Sequence, residues 1–168
     1  MSQRALTLLS LHGAIAAIAL TAVIDHDPWL IWNATASAPL GLYAVRSLGT
    51  PAIGDLVAVR PPEPLATQLA EGGYLPRGAP LLKHVAARHG GIVCRDGLTI
   101  SVDGLALSVA REHDHRGRRL PAWQGCRTLG EDDVFLLNRD APASLDGRYF
   151  GPLRATSIIG RAVPLWTW

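Results

Sequence analysis

This chain of 168 residues is short of charge, of lysine and of sulfur. Charged residues make up 18%, against about 25% in an ordinary soluble domain, while hydrophobic ones reach 48%. That balance excludes intrinsic disorder, whose signature is the reverse. Sixteen basic residues stand against 14 acidic ones, a formal charge of +2, and no basic run is longer than Arg118-Arg119. The electrostatic footprint of a nucleic-acid binder is missing, so nucleic acid is not expected as a partner. No internal repeat, low-complexity tract or glycine-rich phosphate loop is present either, which removes repeat architectures and P-loop nucleotide sites from consideration. The length allows one domain, or one domain with a short appendage.

Two cysteines, Cys94 and Cys126, do not supply the ligands of a structural zinc site. In an oxidising compartment a disulfide is the default for such a pair, and closing its loop would remove chain entropy equivalent to about 3 to 4 kcal/mol. Two free buried thiols are the alternative. His113-Asp114-His115 places ligand types in alternation without a third element, a pattern that decorates a solvated hairpin tip more often than it binds a metal. Neither a metal nor a cofactor is expected.

Much of the apolar surplus lies at the N-terminus. Residues 5–24 carry no formal charge, and 20 helical residues at 1.5 Å each span about the 30 Å of a bilayer core. A membrane helix is the expectation for this segment, set above a cleaved signal peptide and above a core helix, since its apolar residues cover every face. With Arg4 before it and Asp25 and Asp27 after it, the positive-inside rule keeps the first residues cytoplasmic and places the rest in the periplasm. Residues 1–28 are thus read as an inner-membrane anchor and 29–168 as a periplasmic domain. Trp29 and Trp32 follow where amphipathic rings favour the interface. The closing Leu165-Trp166-Thr167-Trp168 reads either as a second interfacial contact or as two core tryptophans on a last strand.

Beyond the anchor, short apolar runs are broken by proline and glycine, which predicts mainly β structure. Candidate strands are 41–46, 55–60, 80–87, 91–95, 99–102, 105–110, 133–137 and 157–164, with one helix at 64–71. Asp96-Gly97 and Asp103-Gly104 mark tight hairpin turns.

Among the 16 basic residues 15 are arginine and one, Lys83, is lysine. In so arginine-biased a chain the exception points to chemistry a guanidinium cannot perform, namely loss of a proton. Apolar neighbours on residues 79–87 would desolvate the ammonium and push its pKa down, making it a usable base. A solvated lysine at a strand edge is the alternative. On a strand, Leu81, Lys83 and Val85 share one face and His84 points the other way, which disfavours a triad built on His84. A nucleophile to match is Ser37, in a turn of small residues before Pro39 and Gly41 that leaves its hydroxyl uncovered. Thr35 is positioned to complete an oxyanion hole with the Ser37 backbone N–H.

Four segments in order then resemble the boxes of membrane-bound type I signal peptidases: Ser37-Ala38-Pro39 with Gly54-Asp55-Leu56-Val57, Leu82-Lys83-His84-Val85, Asn138-Arg139-Asp140, and Ser144 through Gly151. The short length, the Thr35-x-Ser37-x-Pro39-x-Gly41-x-Tyr43 signature and the Cys94/Cys126 pair most resemble the TraF-like branch, conjugative-transfer peptidases that mature pilin precursors. That resemblance implies an antiparallel signal-peptidase/LexA-like catalytic β-fold with one N-terminal transmembrane helix. It implies Ser37 as nucleophile, Lys83 as general base, Thr35 and the Ser37 N–H as oxyanion hole, Ser144 as orienter of Lys83, and Asp146 with Arg148 as a supporting ion pair. It further implies a protein substrate with small residues before the cut, a pilin precursor that is cleaved or cyclised. Ala38 departs from the hydrophobic residue common after the nucleophile, and the inserted β subdomain, 88–131, is small, which favours one dedicated substrate over bulk export. A general signal peptidase and a non-catalytic membrane-tethered scaffold are the competing readings. A soluble LexA-like regulator is disfavoured by the membrane segment.

Overall fold

The computed structural model of the chain describes residues 3–23 and 27–168. Its first element is the helix α1, Gln3–Val23. Leu6, Leu8, Leu9, Leu11 and Ile15 stand exposed along it. Among the described residues no helix is long and apolar enough to cross a membrane. Ile24, which closes the expected span, and Asp25, the charge expected just after it, lie outside the described residues.

Past α1 come β1 (Leu30–Asn33), β2 (Gly41–Arg46), β3 (Leu56–Val59), α2 (Glu63–Glu71) and β4 (Leu81–Arg88). Four strands follow: β5 (Ile92–Asp96), β6 (Thr99–Val102), β7 (Leu105–Val109) and β8 (Gly125–Thr128). The chain closes with β9 (Asp133–Leu136), the short helix α3 (Gly147–Phe150), β10 (Leu153–Arg154) and β11 (Ile158–Thr167). Seven strands form one sheet in the order β1-β2-β11-β3-β4-β9-β10, and β7-β6-β5-β8 form a second. Every ladder is antiparallel.

Alternation along the strands decides which core each side chain joins. Val57 pairs with Lys83 and Val59 with Leu81, so these side chains share one face. Leu65 and Leu69 of α2 cover that face together with Val85, Val134 and Leu136. The intervening Ala58 and Leu82 turn to the other face and pack with Ile31, Ala38 and Tyr43. On β9 the alternation does something further. Val134 and Leu136 join the α2 core, while Phe135 and Leu137 join Val93, Ile100 and Val102 of the second sheet. One strand therefore fastens the two sheets together. The second sheet also carries a bond between Cys94 and Cys126, which face each other across β5 and β8.

Three strands escape the sequence pattern. β1, β8 and β10 span four residues or fewer and carry no apolar alternation long enough to read, so only their pairing partners define them. β11 extends to Thr167, beyond the expected end at Pro164, because a register shift between Pro164 and Trp166 absorbs the missing proline N–H. Trp166 lies on this strand and Trp168 directly follows it, but they are 66% and 63% exposed, which overturns the reading of two core tryptophans. Their rings sit 5.3 Å apart and 6.4 and 5.7 Å from that of Trp32.

The 111–119 segment is also not the freely solvated tip its charge suggests. Asp114 accepts hydrogen bonds from the Tyr74 hydroxyl at 2.6 Å and from Arg118 Nε at 2.7 Å, and Arg118 lies over the Tyr74 ring. These contacts, the Tyr74 hydroxyl foremost, hold the Asp114 carboxyl well below the usual carboxylate range.

Candidate active site

Ser37 sits in the turn that joins β1 to β2. A single buried side chain organises that turn. Asn33, the last residue of β1, reaches the carbonyls of Thr35, Ala38 and Pro39 through Nδ2 at 2.9 to 3.0 Å. Its Oδ1 accepts from the Thr35 N–H at 3.1 Å and the Thr35 hydroxyl at 2.9 Å. From β2 the Tyr43 hydroxyl donates to the Pro39 carbonyl at 2.7 Å. Thr35 Oγ1 and Ser37 Oγ lie 3.1 Å apart. Since the Thr35 proton goes to Asn33, Ser37 is the donor in that pair at rest, and Thr35 must rotate its hydroxyl to face an oxyanion. Ala38 is buried against Ile31 and Leu82 and serves the core instead of the surface.

Lys83 enters from the middle of β4, 2% exposed. The Leu81, Lys83, Val85 face predicts this burial, and the strand-edge alternative fails because β3 and β9 flank β4 on both sides. Lys83 Nζ donates to Ser144 Oγ at 2.7 Å. Burial lowers its pKa from 10.5 to about 8, with Arg148 pushing the same way and Asp146 opposing. An amine with that pKa is neutral often enough near neutral pH to accept a proton.

Ser144 is held by the segment between β9 and α3. Asp146 and Arg148, both fully buried, pair twice, Nη2 to Oδ2 and Nε to Oδ1, each at 2.8 Å. Arg148 Nη2 also donates to the carbonyls of Ala141 at 2.7 Å and Ser144 at 3.2 Å. Asp146 caps α3 through the Arg148 N–H and accepts the Asn138 N–H at 3.1 Å. A buried pair whose remaining donors and acceptors are satisfied in this way is rigid, and removing either partner would strand a buried charge.

Asn138 belongs to the Asn-Arg-Asp box, yet the sequence assigns it no task. Its Nδ2 donates to the carbonyls of Ser37 at 2.5 Å and Leu82 at 2.9 Å. Its Oδ1 accepts the His84 N–H at 3.0 Å. One amide therefore ties the Ser37 turn to the strand of Lys83. Asn33 is the other residue the sequence reading passes over. No motif marks it, and only a buried amide among carbonyls shows its task. His84 is exposed and turned to Asn138 at 3.1 Å, opposite Lys83.

Ser37, Lys83 and Ser144 open into one cleft of about 680 Å³, whose walls include Leu81, Leu145 and Tyr149. The predicted residues thus fall into two linked clusters, the Thr35–Ser37 turn and the Lys83–Ser144–Arg148 chain, meeting at this cleft. A hydroxyl and a depressed-pKa amine in one largely apolar cleft are the elements of nucleophilic acyl transfer.

Residues 2–168 match the family described as signal peptidase, peptidase S26. A probable conjugal transfer protein TraF of Sinorhizobium fredii is 36% identical over 146 residues, covering 81% of this chain and 76% of that protein. A plasmid transfer protein TraF of Escherichia coli is 32% identical, covering 81% and 82%. A conjugal transfer protein TraF of Agrobacterium tumefaciens is 33% identical over 183 residues, covering 95% of each. Among solved structures, a signal peptidase I of Enterococcus faecalis aligns with a TM-score of 0.41 at 20% identity, covering 68% of this chain and 98% of that one.

Proposed function

As the chain belongs to the signal peptidase (peptidase S26) family, we propose that it is a membrane-anchored serine peptidase that cleaves an exported precursor, a conjugative pilin, with Ser37 and Lys83 as its dyad. One observation carries the reading. The single lysine of the chain is buried at the cleft that holds Ser37, with its Nζ on Ser144 and its pKa brought down to about 8.

In this mechanism Ser37 Oγ attacks the scissile carbonyl carbon while its proton passes to neutral Lys83 Nζ. The oxyanion is received by the Ser37 N–H and by the Thr35 hydroxyl once it turns from Asn33. Collapse of the tetrahedral adduct breaks the C–N bond, and Lys83 returns the proton to the leaving amine. Water, deprotonated by Lys83, then releases the acyl group. A substrate amine in place of water would close a ring.

Support for the anchor comes from the leucines of α1, which no other part of the described chain buries. The exposed cluster of Trp32, Trp166 and Trp168 adjoins the cleft, since Trp32 also lines it. Amphipathic rings so placed suit a membrane interface beside the site. Arg4 and the Cys94–Cys126 bond favour an N-terminus in the cytoplasm and a domain in the oxidising periplasm. The conjugal transfer names of the relatives support a protein substrate in conjugation, the class to which a pilin precursor belongs.

Co-expression with a candidate pilin precursor, read by intact mass, tests the proposal. The precursor is expected to lose a terminal segment with wild type and to keep it with Ser37→Ala. Processing that persists with Ser37→Ala overturns the proposal.

A further inference from the structure

The second sheet contributes no residue to the dyad, yet among the described residues it carries the one buried cation the proposed mechanism leaves idle. Arg95 of β5 is 3% exposed and forms no ion pair among the described residues. Its Nε donates to the Gly97 carbonyl at 3.0 Å and its Nη1 to the Arg148 carbonyl at 2.5 Å. Burying a guanidinium against carbonyls alone gives up hydration without a full counter-charge, an arrangement hard to explain by stability.

Other contacts from the same segment converge on α3. Trp123 Nε1 donates to the Gly147 carbonyl at 2.9 Å. The Arg111 N–H donates to the Tyr149 hydroxyl at 3.1 Å, and Arg148 Nη1 donates to Ser108 Oγ at 3.2 Å. Gly147, Arg148 and Tyr149 are thus each gripped from the second sheet or from the loop joining β7 to β8. The far side of Arg148 holds the Ser144 carbonyl, and Ser144 Oγ holds Lys83 Nζ. The Cys94–Cys126 bond ties the strand of Arg95 to its neighbour.

We propose that Arg95 is a positioning residue for Lys83 and that the second sheet is a clamp acting through α3 and Ser144. The inference rests on the reading of Lys83 as the general base. Without Arg95 the Arg148 carbonyl loses its buried donor, α3 loosens, and Ser144 no longer fixes the amine in its dry site. The charged groups acting on Lys83 are Asp146 and Arg148, both on the clamped segment, so the clamp controls its burial and both of its charged neighbours.

Because the chain has one lysine, protein labelled with ¹⁵N-lysine has a single side-chain ammonium to titrate by NMR. In the full-length chain in micelles, the wild-type midpoint is expected near 8. Arg95→Met, which keeps the stem and adds no lysine, is expected to move it at least one unit toward 10.5. With a quenched-fluorescence peptide bearing alanines before the scissile bond, kcat at pH 7.5 should fall about eightfold or more at unchanged KM, following the neutral fraction of Lys83. Its pH profile should shift with the midpoint, and Arg95→Lys should restore part of the rate. Ser108→Ala, a milder loosening of Arg148, should move the midpoint the same way by less, and it stands in if Arg95→Met does not fold. A wild-type midpoint near 8 that neither variant moves overturns the clamp and leaves the base intact. A wild-type midpoint near 10.5 overturns both.

Discussion

At the scale of single residues, Lys83 shows how desolvation turns a surface residue type into a reagent. An ammonium among Leu81, Val57 and Val85 loses hydration that the Ser144 hydroxyl replaces only in part, and the neutral amine gains in proportion. The rate of peptide cleavage should therefore rise about tenfold per pH unit below pH 8 and level off above it, following the neutral fraction. Stability carries the same sign. Between about pH 8 and 10.5 the unfolded chain binds a proton that the folded chain has released, so folding strengthens as pH rises through that window. Lys83→Met should remove this increment from the difference in Tm between pH 8 and pH 10. Lys83→Arg keeps the charge and loses the exchangeable proton, so it should be as inactive as Lys83→Ala. Cleavage by Lys83→Arg well above that of Lys83→Ala would refute the base.

At the scale of elements, α3 depends on the closeness of its first residue to β9. A Cβ at Gly147 would stand 2.6 Å from the Phe135 ring and 2.7 Å from the Leu136 carbonyl. Backbone cannot yield as a flexible side chain does, so Gly147→Ala should push α3 from β9 and carry Asp146, Arg148 and Ser144 with it. We expect a loss of about 1 to 3 kcal/mol in denaturant unfolding, the range for overpacking, and a fall in cleavage larger than the lost folded fraction explains. Cleavage in strict proportion to the folded fraction would show that α3 supports the fold alone. Gly41 is constrained in a different way. Its φ of +134° and its closeness to the Trp166 backbone leave no room for a side chain where β2 begins beside β11.

At the scale of the whole molecule, the polar site and the apolar surfaces occupy neighbouring ground. Exposed Trp32 of β1 lines the cleft with the rings of Trp166 and Trp168 beside it, and α1 carries exposed leucines. A molecule held by α1 with its tryptophans at an interface would meet precursors still in the membrane. A C-terminal alkaline phosphatase fusion should accordingly be active, and a fluorescent fusion that matures only in the cytoplasm should be dark. The opposite pattern would place the domain in the cytoplasm and remove the oxidising surroundings that favour the Cys94–Cys126 bond.

What the sequence determined by itself lay wherever local pattern and rare residue types carry information. Short apolar runs between glycines and prolines located most of the longer strands, and a lone lysine among arginines singled out Lys83. The ordered boxes from Ser37 to Gly151 named the family. Short strands were not legible, because β1, β8 and β10 exist only through hydrogen bonds to distant partners. Nor was the exposure of Trp166, since an aromatic residue on a strand reads the same whether its face is covered or bare. The family resemblance already paired Lys83 with Ser144, 61 residues on, but tertiary structure alone decided the other connections of the site. Asn138 reaches across 101 residues to the Ser37 carbonyl, and Arg95 across 53 to Arg148. Hydrogen bonds of that span follow from how two sheets meet at β9, and no local pattern encodes them.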